Sequence, residues 1–570
     1  MSVSAKTVYE VFCGTAAKWG KNPFLCVLPE TAEAYGILAG ELSYADALVR
    51  IDRLRQAYAA AGYGHGHRVG LLLENRPAFF LHWFALNALG VSVVPINADL
   101  RAAELEYLIG HSELILAVAL PERHAGLKQA AQRAGRPLQA VGADDAPPPA
   151  LTPAPLAGQP LGTATECGLL YTSGTTGRPK GCILTNEYYL QCGNWYATIG
   201  GLCTLRDGQE RMITPLPMVH MNAKAVSTLA MITTGGCLIV LDRFHPKTWW
   251  DSVRRSRATV VHYLGVMPAI LMKAAPSPDD RRHEVRFGFG AGVERSLHAA
   301  FEERFGFALI EAWAMTETGN GAVIGATREP RFVGSSSIGT QEPDVEVRIV
   351  AEDGQDAAVG APGELLVRHA GDNPRFGFFA GYLKDPQATD EAWAGGWFHT
   401  GDLVRRDADG MIRFVDRKKN VIRRSGENIS AVEVETLLLN HPLVKTVAVA
   451  AVPDALRGDE VLACIVPESM PGDLTAAARD LVQWSLGELA YYKVPGYVVF
   501  VDALPLTTTN KIQRGEMKKL APTYLGQSNC VDTTALKKRP HAASDGLAAP
   551  QGDLSASARP GGAKRQEGAH

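Results

Sequence analysis

Short apolar runs alternate with helical patterns along the first 135 residues, and this alternation constrains the fold more than any other feature of the chain. "RVGLLLEN" (68–75) reads as a buried strand, "PAFFLHWFALNALG" as a helix, and "VSVVPIN" (91–97) as the next strand. Repeated strand–helix–strand units predict an α/β layered sheet. Ahead of them, Val8, Val11, Phe12 and Trp19 lie near helical spacing, as in an amphipathic helix rather than a signal peptide. The stretch 144–160, "DDAPPPALTPAPLAGQP", has no period and reads as a surface connection, because "MITPLP", "GGCLIVLD" and "ATVVHYLG" resume the alternation. From about 335 to 415 the texture changes to strands and turns, as in "DVEVRIVAEDG" and "GELLVRH". After 425 it changes again. "SAVEVETLLLNH" opens with Ser430 and Glu433, a capping-box start, and strands and a helix over 475–489 follow.

The expected fold class is therefore α/β. A large N-terminal domain of several subdomains (1–416) combines α/β layers with a β-rich part, and a small α+β C-terminal domain spans 417–520. Residues 523–570, rich in Ala, Gly, Ser and Pro, read as a disordered tail, and "KKRP" (537–540) as a solvated charge run. At 570 residues two or more domains are expected. The net charge of −3 gives no reason to expect nucleic acid or an anionic membrane as partner. No apolar run reaches the roughly 18 residues of a membrane span. Nine scattered cysteines without a C-x-x-C pair suit reduced thiols in the cytoplasm.

"YTSGTTGRPKGCILTN" (171–186) gathers hydroxyls, glycines and cations, the residue types that bind polyphosphate. It is not the G-x-x-x-x-G-K-[ST] loop: counting from Gly174, Pro179 replaces the second glycine and Gly181 follows Lys180. Four further stretches share the chemistry of a nucleotide site: "EAWAMTETG" (311–319), "GWFHTGD" (396–402), "DRKKNVIRRSGENISAVEVE" (416–435) and "LPLTTTNKIQR" (504–514). An aromatic can stack on adenine, a carboxylate can hold Mg²⁺ against phosphate, an Asp can take ribose hydroxyls, and a lysine can neutralise charge developing during nucleotidyl transfer.

These five motifs, in this order and spacing, resemble the adenylate-forming superfamily of acyl- and aryl-CoA synthetases, luciferases and carrier-protein adenylation domains, from about residue 5 to about 520. The resemblance implies a two-step reaction. A carboxylate attacks the α-phosphate of ATP, releasing pyrophosphate and leaving an acyl-AMP; the small, mobile C-terminal domain then rotates and a thiol, usually that of coenzyme A, takes the acyl group. It implies that Thr172, Ser173, Gly174, Thr175, Thr176, Gly177 and Lys180 hold the pyrophosphate portion. Gly290, Ala291 and Gly292 would lie along adenine and the acyl pocket, with Glu311 and Ala312 beside the nucleotide and Trp313 stacked on adenine. Thr316 would touch the α-phosphate, Glu317 would ligate Mg²⁺, Asp402 would bind the ribose and Arg417 the ribose or phosphate. Lys511 would bridge carboxylate and α-phosphate as the catalytic lysine, Lys419 would be the hinge, and Gly426 would face the thiol tunnel. His220, Met221, Asn222, His262, Tyr263 and Ala314 are candidates for the acyl pocket, with ordinary core packing the competing reading for His220, His262 and Tyr263.

"SIGT" (337–340), "GENISAVEVE" and "YKVPGYVVF" resemble more narrowly the crotonobetaine/carnitine-CoA ligase group. Asn186, Trp313-Ala314 and Asn510 depart from the superfamily pattern, yet no charged catalytic group is lost. The expected function is an ATP-dependent acid–CoA ligase for a small or medium monocarboxylic acid, using ATP, Mg²⁺ and coenzyme A, with a homodimer left open. The alternatives are an enzyme that acylates a carrier protein and a non-catalytic nucleotide-binding protein on the same fold.

Overall fold

The computed structural model describes residues 5–172, 178–293, 295–351, 353–417, 421–505, 512 and 514–537. Two predominantly parallel sheets form the body of the large domain. A seven-stranded sheet has Ser92–Pro95 at its middle, with Arg68–Leu72 and Leu116–Ala119 following on one side and Glu166–Thr172 and Lys180–Thr185 on the other. An eight-stranded sheet runs from Ile324–Gly325 through Ala308–Trp313, Phe287–Ala291 and Val260–Leu264 to Pro23–Val27 and Gly40–Ser43.

The N-terminal amphipathic helix forms, as Val8–Trp19, and packs on helices Pro77–Asn87, Asn186–Thr198 and Thr228–Thr234. Phe12 on it meets Phe24 and Phe84 with ring centroids 5.0 Å apart in each pair. Pro77–Asn87 is buried on every side, which explains why its sequence has apolar residues all round rather than in a stripe. The stretch 144–160 forms no strand or helix and connects two strands of the seven-stranded sheet, Gln139–Val141 and Glu166–Thr172.

One element of this core is electrostatically costly. Lys224 is fully buried, donates to Tyr189 Oη over 2.5 Å and lies 4.2 Å from the Trp83 ring centroid. Burial pushes its pKa down to about 7. The unfolded chain, with a lysine of ordinary pKa, therefore binds the extra proton between pH 7 and about 10.5. The destabilising cost is complete below pH 7 and is relieved as the pH rises through that window. Lys224→Met should raise Tm at pH 7 by several degrees, and the gain should shrink by pH 10. Thermal melts showing the same gap at both pH values would contradict this origin of the cost.

The β-rich part is a five-stranded antiparallel sheet, Ser337–Gly339, Ile412–Arg417, Phe398–Arg406, Gly363–His369 and Val345–Val350 in spatial order. Its last strand ends at Arg417. The small domain's six-stranded sheet begins at Val421 and is built on the long hairpin Val444–Asp454 with Gly458–Pro467. Helices Ala431–Leu438 and Leu474–Glu488 share one core with it.

The tail does not begin at 523. Helix Arg514–Tyr524 leads into strand Cys530–Asp532, which pairs antiparallel with Tyr497–Phe500 at the sheet edge. Thr533 Oγ1 donates to Pro495 O over 3.0 Å, and Lys537, with no exposed side-chain surface, is ion-paired to Glu460. The low aromatic content that marks the whole C-terminal stretch as disordered masks this short strand, which closes a sheet edge and packs Val531 and Cys530 against the small domain's cores. Residues 538–570 lie outside the described residues. Among those described, no helix is long and apolar enough to cross a membrane.

Candidate active site

A cleft of about 2130 Å³ opens where the two large-domain sheets, the β-rich sheet and the small domain meet. The strand Glu166–Thr172 carries Thr172 to its wall, and the return strand Lys180–Thr185 begins there with Lys180. Ser173, Gly174, Thr175, Thr176 and Gly177, between these ends, lie outside the described residues. Thr172 and Lys180 are cross-strand partners, so a hydroxyl and an ammonium flank the mouth of the loop.

Thr316 and Glu317 line the same wall, just beyond strand Ala308–Trp313. Glu317 is buried. Its Oε1 accepts from Tyr382 Oη at 3.0 Å and from Thr172 Oγ1 at 3.5 Å. Tyr188 Oη donates to Thr316 O over 2.9 Å and steadies the turn. Tyr382 also offers its ring to Lys180, whose Nζ lies 4.7 Å from the centroid. Sequence reasoning missed Tyr382. The only signal was an aromatic after a glycine in "GYLKD" (381–385), and nothing local ties it to Glu317.

Gly290, Ala291, Gly292, Ala312 and Ala314 line the cleft. A Cβ on Gly290 would run into the Tyr263 backbone carbonyl, and Gly292 has φ +81°, so both positions require glycine. Glu311 does not line it. Its Oε1 accepts from the backbone N–H groups of Gly292 and Val293, each at 2.9 Å, so its carboxylate fixes the loop rather than facing a nucleotide.

Trp313, expected to stack on adenine, and Asp402, expected to bind the ribose, do not line the cleft. Both are buried behind the cleft wall, and Trp313 Nε1 donates to Asp402 Oδ2 over 2.8 Å. A Phe at 313, with no donor, could not make this bond. Arg417 is the cross-strand partner of Asp402, so the backbone brings the expected ribose-binding residues together.

Of the acyl-pocket candidates, His220, Met221, Asn222 and Ala314 line the cleft. His262 and Tyr263 do not, because strand Val260–Leu264 is interior to its sheet and covered on both faces. Tyr263 Oη donates to Ile310 O over 3.1 Å. His262 is held neutral by burial, which pushes its pKa to about 3. Its Nδ1 meets Asn222 Oδ1 at 2.9 Å and Ser227 Oγ at 2.7 Å, and its Nε2 meets Tyr196 Oη at 3.1 Å. It positions Asn222 from behind.

The small domain closes the remaining side. Gly426, φ +89°, lies against Leu264, and neighbouring Glu427 reaches His220 Nε2 at 3.4 Å. Burial opposes the imidazolium, but Glu427 outweighs it and raises the His220 pKa above its ordinary value. Lys493 of the small domain sits 2.7 Å from both Glu104 of the large domain and Glu433 of its own. Ala490 N donates to Glu104 Oε2 over 3.1 Å. Sequence reasoning missed this clamp, since its partners are nearly 400 positions apart. Lys419 and Lys511 lie outside the described residues.

Thr172 and Lys180 at the two ends of the hydroxyl- and glycine-rich segment, and Glu317 held by hydroxyls, thus share one cleft with a small second domain. The chain belongs to the family of AMP-binding enzymes: the family model matches residues 29–383, and the model of the AMP-binding enzyme C-terminal domain matches 433–511. It is 30% identical over 501 residues to the crotonobetaine/carnitine–CoA ligase of Shigella flexneri, across 85% of this chain and 95% of the relative. Among solved structures it resembles a double mutant of o-succinylbenzoate CoA synthetase from Bacillus subtilis bound with a product analogue. There the TM-score is 0.76 at 22% identity, covering 89% of this chain and 98% of the other. A malonyl-CoA ligase in a product complex with methylmalonyl-CoA and AMP aligns with TM-score 0.69 at 26% identity, covering 85% and 96%. The chain is thus an AMP-forming acyl-CoA synthetase.

Proposed function

We propose that this cleft activates a small or medium monocarboxylic acid as its acyl-AMP and then passes the acyl group to coenzyme A, with the small domain changing orientation between the steps. The observation that carries the reading is the position of Gly426 and Glu427. The small domain presents this loop, at Leu264 and His220, to the cleft that holds Thr172, Thr316 and Glu317. That arrangement suits thioester formation. Lys511 acts in the other arrangement, with Lys419 as the hinge between them.

Thr172, Lys180 and the 173–177 loop take the β- and γ-phosphates, and Thr316 the α-phosphate. Oxygen donors around Glu317 fit Mg²⁺, which prefers one or two carboxylates plus phosphate oxygens; the described residues offer no cluster of three or more metal-ligating side chains, as such a site requires none. Mg²⁺ bound there would neutralise phosphate charge. On this reading the reaction belongs to the cytoplasm, which nine cysteines without a disulfide support.

Asp402, buried behind the cleft wall and bonded to Trp313 here, is the ribose-binding carboxylate of this reading, which requires the wall to open and uncover it when ATP binds. Hydrogen bonds to charged groups contribute roughly 1.5–3 kcal/mol each. Asp402→Ala should therefore raise the KM for ATP by about 10- to 100-fold. An unchanged ATP dependence would show that the ribose binds elsewhere.

The reading as a whole is tested by acid-dependent ATP–pyrophosphate exchange over a panel of carboxylic acids, followed by product analysis with coenzyme A or with an acyl carrier protein. Exchange with acyl-CoA formed is the expected result. Exchange with acylation of the carrier alone would reassign the acceptor, and no exchange with any acid would overturn acid activation.

A further inference from the structure

Strands Val421–Arg424 and Glu427–Ser430 pair antiparallel around two residues, Ser425 and Gly426. Both have positive φ, +51° and +89°, as a two-residue hairpin turn requires. Positive φ is uncommon for a serine, so this turn is held by what surrounds it. Gly426 and Glu427, at its tip, line the cleft.

Arg424, the last residue before the turn, is buried and does not line the cleft. Its Nε donates to Glu460 Oε2 over 2.7 Å. Glu460 is itself fully buried, and its Oε1 accepts from Val461 N at 2.9 Å and from Lys537 Nζ. A Cβ on Gly496 would strike the Glu460 carboxylate, so that glycine makes room for it. Strand Gly458–Pro467, which carries Glu460, also backs the turn: Gly458 is the cross-strand partner of Arg424, and Ser425 N donates to Arg457 O over 2.9 Å.

Lys537 reaches Glu460 by a closely fixed path. After strand Cys530–Asp532, Thr533 N donates to Gly496 O over 2.9 Å and Thr533 Oγ1 to Pro495 O over 3.0 Å. Asp532 Oδ1 accepts from Thr534 N at 2.8 Å and from Thr534 Oγ1 at 2.6 Å, and a single helical turn over Thr534–Leu536 follows. Leu536 packs on the small domain's core. Arg424 alone would neutralise Glu460. A second buried cation loses its hydration without neutralising any further charge. What it adds is position: Lys537 and the Val461 amide hold Oε1, leaving Oε2 to Arg424.

We propose that the strap Cys530–Lys537 is a positioning element for thioester formation, in which Lys537 fixes Glu460, Glu460 fixes Arg424, and Arg424 holds the Ser425–Gly426 turn in register with the cleft. Arg424, Glu460 and Lys537 are positioning residues, since none of them lines the cleft. The inference rests on the reading that this turn faces the thiol in the second step.

The test measures both half-reactions in full-length Lys537→Met and Arg424→Met. Each variant leaves Glu460 one cation, so neither strands a buried charge. In both, kcat/KM for coenzyme A in acyl-CoA formation from supplied acyl-AMP should fall by roughly 10- to 100-fold, because a misplacement of about 1 Å far from the chemistry can cost about 100-fold. Acid-dependent ATP–pyrophosphate exchange should keep its wild-type rate. The split separates position from stability: Lys511 belongs to the same domain, so a merely weakened domain would lower both half-reactions together. Where Lys537→Met fails to fold, Thr533→Val, which removes one tie of the strap, decides by the same split. Wild-type acyl transfer in either folded variant, or equal losses in the two half-reactions, would overturn the proposal. Supplied acyl-AMP that yields no acyl-CoA with the unaltered enzyme would instead remove the thioester step on which it rests.

Discussion

Lys511→Ala should slow acyl-AMP formation by several powers of ten while leaving thioester formation from supplied acyl-AMP nearly unchanged. A lysine between the carboxylate and the α-phosphate is needed only while negative charge builds during the first step. Loss of an interaction made only in that transition state appears in kcat and kcat/KM together. In the proposed second step it is Gly426, rather than Lys511, that faces the cleft. Single-turnover measurements of each half-reaction separate the two. Comparable losses in both would place Lys511 in a site shared by both steps and end the two-orientation account.

The reverse pattern is expected at Gly426. Its φ of +89° suits glycine, and a Cβ there would collide with the Leu264 side chain. Gly426→Leu should push the loop off the cleft wall in the orientation seen here, where the His220–Glu427 contact and the Lys493 clamp on Glu104 also lie. Acid-dependent ATP–pyrophosphate exchange should persist, and acyl-CoA formation should fall by at least about 100-fold, the loss of some 3 kcal/mol. Lys419→Pro, which would lock φ near −65° at the hinge, should share the phenotype by trapping the adenylating orientation. Loss of exchange in both variants with the fold intact by circular dichroism would count against domain rotation. Normal acyl-CoA formation in both would refute it.

Local pattern carried far in this chain. Strands and helices at 68–97, the helix at the N-terminus and the change of texture near 335 were legible because periodicity and turn residues report local structure. The residue types of 171–186 read as a polyphosphate-binding set, and the ordered motifs supplied the family. What stayed hidden depends on which distant residue lies opposite. His262 and Tyr263 read as pocket residues, but they occupy an interior strand whose two faces are both covered, a fact of sheet order rather than of the sequence around them. Trp313 reads as a stacking aromatic, yet its indole N–H is bound to Asp402, 89 positions away. Glu311 carries a negative charge near the nucleotide motif and spends it on two backbone amides. The strand Cys530–Asp532 is too short to signal itself and forms because an edge is available.

The central claim is that one oxygen of the acid becomes bonded to the α-phosphorus of ATP and stays with AMP when the thiol takes the acyl group. The direct measurement is isotope transfer. The enzyme turns over a carboxylic acid labelled with ¹⁸O in both carboxyl oxygens, together with ATP and coenzyme A, and the products are read by mass spectrometry. The account predicts one ¹⁸O in the phosphate of AMP for each thioester formed, with unlabelled pyrophosphate. Label appearing in orthophosphate with ADP as the nucleotide product, or AMP formed without label, would contradict it.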